Sequence, residues 1–247
     1  MATVLSGTSG ALYYKPAGTK STFTAANVTN GSNNINVGTY LNFQVNDKVS
    51  FGTGTGGTLP GGLSASTDVF IRTYTASTGI ATFASTSGGS ELALTSDGTD
   101  GTTPFTIDFA DHQSVGDARE WSFEVTREEL DTTTIGGTLG QNAPFRTFIT
   151  GFADGTGSAT VYLTDDDTTI ATRLVEDVIQ RKQAGANFKL YTDLTLSSGS
   201  PLDTTSTFIE VPAVINSASF AVTPDDAQVV EISFRPTEAP TFDFDRS

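Results

Sequence analysis

The chain of 247 residues contains no cysteine, so disulfides, cysteine-ligated zinc and cysteine nucleophiles are all excluded. It has a single histidine, His112. A two-histidine metal site is therefore impossible, and any Ser-His-Asp triad would have to use His112 as its base. No Gly-x-Ser-x-Gly elbow accompanies it, and the sequence reads His112 as an exposed loop residue. Tryptophan is also single, at Trp121. Charge is scarce at 17% of residues, and basic residues are the scarcer kind: 13 Lys and Arg against 28 Asp and Glu, for a net charge of −15. Duplex DNA carries about one negative charge per 1.7 Å, so a protein that grips it needs clustered Lys and Arg. The longest basic run here is the pair Arg181-Lys182. No apolar stretch approaches the roughly 20 residues that span a bilayer. The beginning, Met1 to Gly10, lacks a basic segment followed by an apolar one, so it does not read as a signal peptide. Folding in a cytoplasm and no membrane partner are the expectations.

What the chain has in quantity is Thr, Ser, Asn, Gly and Phe. Thr favours strands, whereas Gly and Asn favour turns. Hydrophobic residues make up 36% of the chain and include 17 Phe, enough for a core and too many for a disordered polymer. The expected class is mainly β. Gly52 to Gly62 could be mistaken for a phosphate loop, but it lacks the Gly-Lys-Ser/Thr ending and a following helix. Asp97, Asp100 and the run Asp165 to Asp167 could ligate a hard cation, yet neither group has EF-hand spacing. Turn formation explains the first, and helix capping the second. Asn27-Val-Thr29 and Asn30-Gly-Ser32 fit the glycosylation pattern, which has no meaning without a secretory route. No cofactor, metal or catalytic residue is expected.

The segment 121–164 is the most informative. Trp121, Phe123 and Val125 alternate with Ser122, Glu124 and Thr126, the period of a half-buried strand. Trp121 is thereby predicted to be a core anchor. Farther on, Phe145 to Thr164 reads as two strands around the turn Ala153-Asp-Gly-Thr-Gly157. In wording as well as pattern, this block resembles the tail tube (major tail) proteins of long-tailed bacteriophages. The resemblance implies a tail-tube-like β-sandwich or barrel with one flanking helix. It also implies subunits that close into hexameric rings and stack into the tail of a virion. Partners would be other copies of the chain, a tape measure protein inside the tube, and tail sheath, terminator and baseplate proteins. Viral DNA would pass as cargo without being specifically bound.

From about residue 24 to 108 the chain turns rich in Gly, Ser, Thr and Asn, with short strands predicted at 35–37, 48–51, 69–75, 80–84 and 92–95. Val45-Asn-Asp-Lys-Val-Ser-Phe51, Gly57-Thr-Leu-Pro-Gly-Gly-Leu63 and Leu94-Thr-Ser-Asp-Gly-Thr99 resemble a small β-module of phage tail and structural proteins. The expected organisation is a discontinuous tube domain, 1–23 and 109–247, with an inserted module, 24–108, on the exterior. One helix is predicted at about 169–184. There Leu174, Val175, Val178 and Ile179 form an apolar stripe, and Arg173, Glu176, Asp177, Gln180 and Arg181 lie off it. Strands are predicted at 187–196, 206–211 and 228–235. Residues 236–247 read as an extended tail, frayed or docked on a neighbour.

Acidic residues opposite apolar neighbours are the candidates for lining the bore: Glu124, Glu128, Asp193, Glu210 and Glu231. The resemblance carries an inter-subunit role onto the loop Asp131, Thr132, Thr133, Thr134, Ile135, Gly136 and Gly137. Two other readings suit the same composition. One is a different virion protein, such as a capsid decoration or baseplate protein. The other is a carbohydrate-binding adhesin acting through the inserted module.

Overall fold

Period-two patterning without long helical stretches yields a fold built on sheets. The structure, a computed structural model, describes residues 10–115, 118–132, 148–162, 173–179, 185–197, 200–221 and 228–245. In chain order the strands are β1 (Ala11–Lys15), β2 (Ser21–Phe23), β3 (Val28–Thr29), β4 (Asn34–Asn36), β5 (Lys48–Gly52) and β6 (Val69–Thr75). Then come β7 (Ile80–Ala84), β8 (Phe105–Phe109), β9 (Gln113–Ser114), β10 (Ala118–Asp131), β11 (Phe148–Tyr162) and β12 (Asn187–Asp193). The last are β13 (Leu196–Ser197), β14 (Ser200–Pro201), β15 (Thr207–Ala221), β16 (Val229–Pro236) and β17 (Thr241–Asp243).

They form two main sheets. An eight-stranded sheet runs β10-β11-β16-β15-β12-β1-β9, with β17 on β15, and a seven-stranded sheet runs β2-β8-β5-β6-β7-β4-β3. Each has its own core. Leu12, Tyr14, Val161, Phe188, Leu190, Val211, Val230 and Phe234 belong to the first. Phe23, Ile35, Phe51, Ile71, Phe83, Phe105 and Ile107 belong to the second. The smaller sheet thus draws on a continuous stretch of chain, 21–109, that leaves and re-enters through adjacent strands, since β2 pairs antiparallel with β8. Neither sheet closes into a barrel among the described residues.

Several strands match the sequence pattern and others depart from it. Residues 148–162 form one strand, not two around a turn. Gly155 and Gly157 serve close packing: a Cβ on Gly157 would lie 2.2 Å from the Phe234 ring, and one on Gly155 would lie 2.8 Å from Pro236. Residues 92–95 form no strand and make single hydrogen bonds instead, Leu92 N–H to the Phe83 carbonyl at 2.8 Å and Thr95 N–H to the Gly61 carbonyl at 2.9 Å. β15 extends to Ala221, well past the expected end at 211. A shift of register between Ile215 and Ser217 turns Ala218 toward the core side. The C-terminal segment docks on its own chain, because β17 pairs with Phe208 to Glu210 of β15.

Most of the expected helix lies outside the described residues. Residues 173–176 are helical and 177–179 form a turn. Leu174 is buried as expected, but Ile179 is 81% exposed, and Arg173 and Asp177 are wholly buried. The polar pair, four residues apart on one helical face, points inward because buried polar partners wait there. His112 is likewise not an exposed loop residue but half-buried where the two sheets meet.

Candidate functional site

Three features could carry function: a polar sheet face, a projecting hairpin, and the seam between the sheets.

Strand alternation puts Trp121 and Phe123 against the core, half-buried, and turns their neighbours outward. Register then aligns Glu120, Thr160, Glu231 and Ser219 across four strands, and Ser122, Ser158, Ser233 and Ser217 in the next row. The Ser122 and Ser158 hydroxyls are 2.9 Å apart and hydrogen bonded. Glu124 stands opposite Thr156 on the same face. Of the acidic candidates, this arrangement brings Glu124 and Glu231 onto one exposed Ser/Thr-rich surface. It adds Glu120, which the same alternation could have identified. Glu128 is exposed farther along β10, beside Gly151. Glu210 is half-buried and accepts from Asn187 Nδ2 at 2.7 Å. Asp193 is half-buried at the end of β12, opposite Thr207.

The β10–β11 hairpin outruns its sheet. β16 pairs with β11 only from Gly157 to Tyr162, so Phe148 to Thr156 has β10 as its sole partner strand among the described residues. β10 itself lies at the sheet edge. The projecting part exposes apolar side chains: Val125, Leu130, Phe148, Ile149 and, at 89%, Phe152. A two-stranded ribbon is marginal in water, and unpaired edges invite another strand. Asp131 ends β10 on this ribbon and Thr132 follows it, whereas Thr133, Thr134, Ile135, Gly136 and Gly137 lie outside the described residues.

At the seam, the main sheet meets the smaller one through a buried polar cluster. Asp177 accepts from the Tyr14 hydroxyl, from Ala17 N–H at 2.9 Å and from Asn42 Nδ2 at 2.7 Å. Arg173 Nη2 donates to Asp47 Oδ2 at 2.7 Å and to the Asn42 carbonyl at 3.4 Å. Its guanidinium lies 5.7 Å from the centre of the Phe109 ring. Burial pushes the Asp177 carboxyl up to about 6, against the opposing pull of Tyr14, Ala17 and Arg173. Burial also raises Asp47, with Arg173 opposing. His112 is held neutral, its pKa lowered to about 4 by burial and by Lys189 and Lys15. It borders a cavity of about 590 Å³ also lined by Tyr13, Lys48, Lys189, Tyr191 and Asp203. The charges there pair with one another: Lys189 with Asp203 at 2.6 Å and Lys48 with Asp111 at 2.7 Å.

The other sequence candidates have structural duties. Asp97 accepts from Asn30 N–H at 3.0 Å, and Asp100 from Ala25 N–H at 2.7 Å. Both fix loops. Among the described residues, no group of three or more His, Cys, Asp or Glu is placed to hold a metal ion. Asp165 to Asp167 lie outside the described residues.

No family model matches the chain, and no curated protein matches it. Among solved structures, it is similar to a chain from the virion of a native gene transfer agent particle, at 14% identity and a TM-score of 0.38. That match covers 53% of this chain and 88% of the other. It is also similar to a chain from the tail of an empty gene transfer agent particle with C6 symmetry, at 15% identity and a TM-score of 0.38. There the shares are 54% and 87%.

Proposed function

We propose that this chain is a structural virion protein, the tail tube subunit of a long-tailed phage. Copies close into hexameric rings, and the rings stack around a tape measure protein into the conduit for DNA. Sheath, terminator and baseplate proteins would meet the tube's outside and ends. The module 24–108 would decorate the exterior. The observation that carries this reading is the projecting β10–β11 ribbon, which no third strand joins among the described residues and which exposes Phe148, Ile149 and Phe152. A monomer gains nothing by presenting such a surface to water, whereas a repeating assembly buries it. Contacts between unlike surfaces of identical copies close into rings or extend as filaments. The Ser/Thr face with Glu120, Glu124 and Glu231 suits a bore that DNA must traverse without adhering.

Electron microscopy and sedimentation of the purified protein test the reading. Rings or tubes are expected from the parent chain. Phe152→Ser with Ile149→Ser should leave a folded monomer, because both side chains lie outside the core. A parent chain that remains monomeric across concentration and salt, or a double variant that assembles normally, would sink the proposal.

A further inference from the structure

Among the described residues, the smaller sheet is joined to the main one at three places. Two are covalent crossings, residues 16–20 and 110–112. On the main-sheet side these leave β1 and β9, which pair through Tyr14 and Gln113. On the other side they enter β2 and β8, which pair through Ser21 and Ile107. The crossings therefore run side by side, as a two-chain tether. Lys15 and Asp108, 2.8 Å apart, bridge the same tether. Such a connection restrains position but permits pivoting. The third junction comes from a different part of the chain. Arg173 reaches Asp47, and Asp177 reaches Asn42, both partners lying in the loop before β5. Asp177 simultaneously holds Tyr14 of β1 and Ala17 of the first crossing.

We propose that Arg173 and Asp177 form a clasp that fixes the smaller unit in one orientation against the main sheet, and that opening the clasp lets it pivot on the two crossings. The clasp is wholly buried on its Arg173 and Asp177 sides. A buried ion pair adds little net stability over apolar residues of like size, yet it demands a defined geometry, because a misplaced partner leaves a buried charge unpaired. The Asn42 side chain and carbonyl serve both members at once, one by donating to Asp177 and the other by accepting from Arg173. A shift of the smaller unit would break both bonds together. The module would then stand at a set angle on each subunit, not hang from a flexible stalk.

The absence of cysteine makes this measurable. Ser87→Cys and Ser219→Cys place spin labels on exposed positions of the smaller unit and of β15 in the full chain. Pulsed electron resonance should give one narrow distance distribution. Arg173→Met with Asp47→Leu, which replaces the pair by apolar side chains, should broaden it while circular dichroism stays unchanged. Should that variant misfold, Asn42→Ala decides, since it removes one side-chain donor and should broaden the distribution to a smaller degree. A broad distribution in the clasped chain would overturn the proposal. So would a narrow one in the folded clasp variants.

Discussion

Gly157 lies directly beneath the ring of Phe234, so close that a Cβ would stand 2.2 Å from Phe234 Cε2. The ring's retreat is limited, because it is also stacked on Phe188 at a centroid distance of 4.4 Å and on Phe123 at 6.5 Å. Gly157→Ala should therefore destabilise the protein by about 1–3 kcal/mol, the usual cost of overpacking. The adjacent Ser158→Ala, on the exposed face, should cost far less. Urea unfolding of the two variants makes the comparison. Equal midpoints would mean that the strand leaves room above Gly157.

Trp121 packs against the main core from the edge strand and stays partly accessible. Truncating a fully buried aromatic costs about 3–5 kcal/mol. Trp121→Ala should cost about 1–3 kcal/mol, in proportion to the area it hides. Equilibrium unfolding followed by circular dichroism gives the number, and an unchanged midpoint would place the indole off the core.

Two groups at the seam should oppose each other with pH. Asp177 has a folded pKa raised to about 6, so its contribution is fully present below about 4 and lost as pH rises through about 6. His112 is lowered to about 4, so its contribution is present above about 6.5 and lost as pH falls through its folded value. Each amounts to about 3 kcal/mol, from the free energy of about 1.36 kcal/mol per pKa unit. Together they nearly cancel between pH 4 and 6.5. Asp177→Asn should leave stability rising with pH across that window, and His112→Gln should leave it falling. Variants that both track the parent's pH curve would refute the assignment.

Much of this was legible in the sequence, and the failures have physical causes. The predicted strands at 69–75 and 80–84 coincide with β6 and β7, because turn residues bracket short apolar alternations there. The phase of β10 was readable from Trp121, Phe123 and Glu124. Gly155 and Gly157 misled, since glycine signals a turn locally but here admits Phe234 and Pro236 from a strand over 70 residues away. Arg173 and Asp177 looked solvent-facing because a polar residue on a helix usually is. Their partners Asp47, Asn42 and Tyr14 come from other segments, and no local pattern announces them. The projecting ribbon was hidden for a similar reason. Alternation says which side a residue faces, but where the adjoining strand ends is a property of register.

Excising the smaller unit should leave the main sheet folded. None of the residues in the main core comes from the stretch 21–109, and the second core lies wholly within it. Joining residues 20 and 110 by a short Gly-Ser linker is feasible because the crossings run side by side. Arg173 and Asp177 would then meet water instead of Asp47 and Asn42. The shortened chain should keep a cooperative unfolding transition and still assemble. Loss of its β spectrum would mean that the two units depend on one another to fold.

The acidic face makes the sharpest statement about assembled material. Glu120 and Glu231 share one cross-strand row through Thr160, and Glu124 stands on the same face; all three are exposed. Their reversal to Lys should not disturb the fold, since no core contact is involved. If this face lines a channel, six-fold repetition would turn three reversals per subunit into a dense basic ring. Phosphate binding releases counterions, so retention of DNA would be strong at low salt and weaken steeply as salt rises. Reversal of Glu210, half-buried beside Asn187 and Lys189, serves as a control for charge placed elsewhere. Co-sedimentation of DNA with parent and reversed tubes at two salt concentrations separates the cases. Parent tubes should retain none, triple-reversed tubes should retain DNA in a salt-sensitive way, and Glu210→Lys tubes should resemble the parent. Triple-reversed tubes that ignore DNA at low salt would put this face on the outside of the tube.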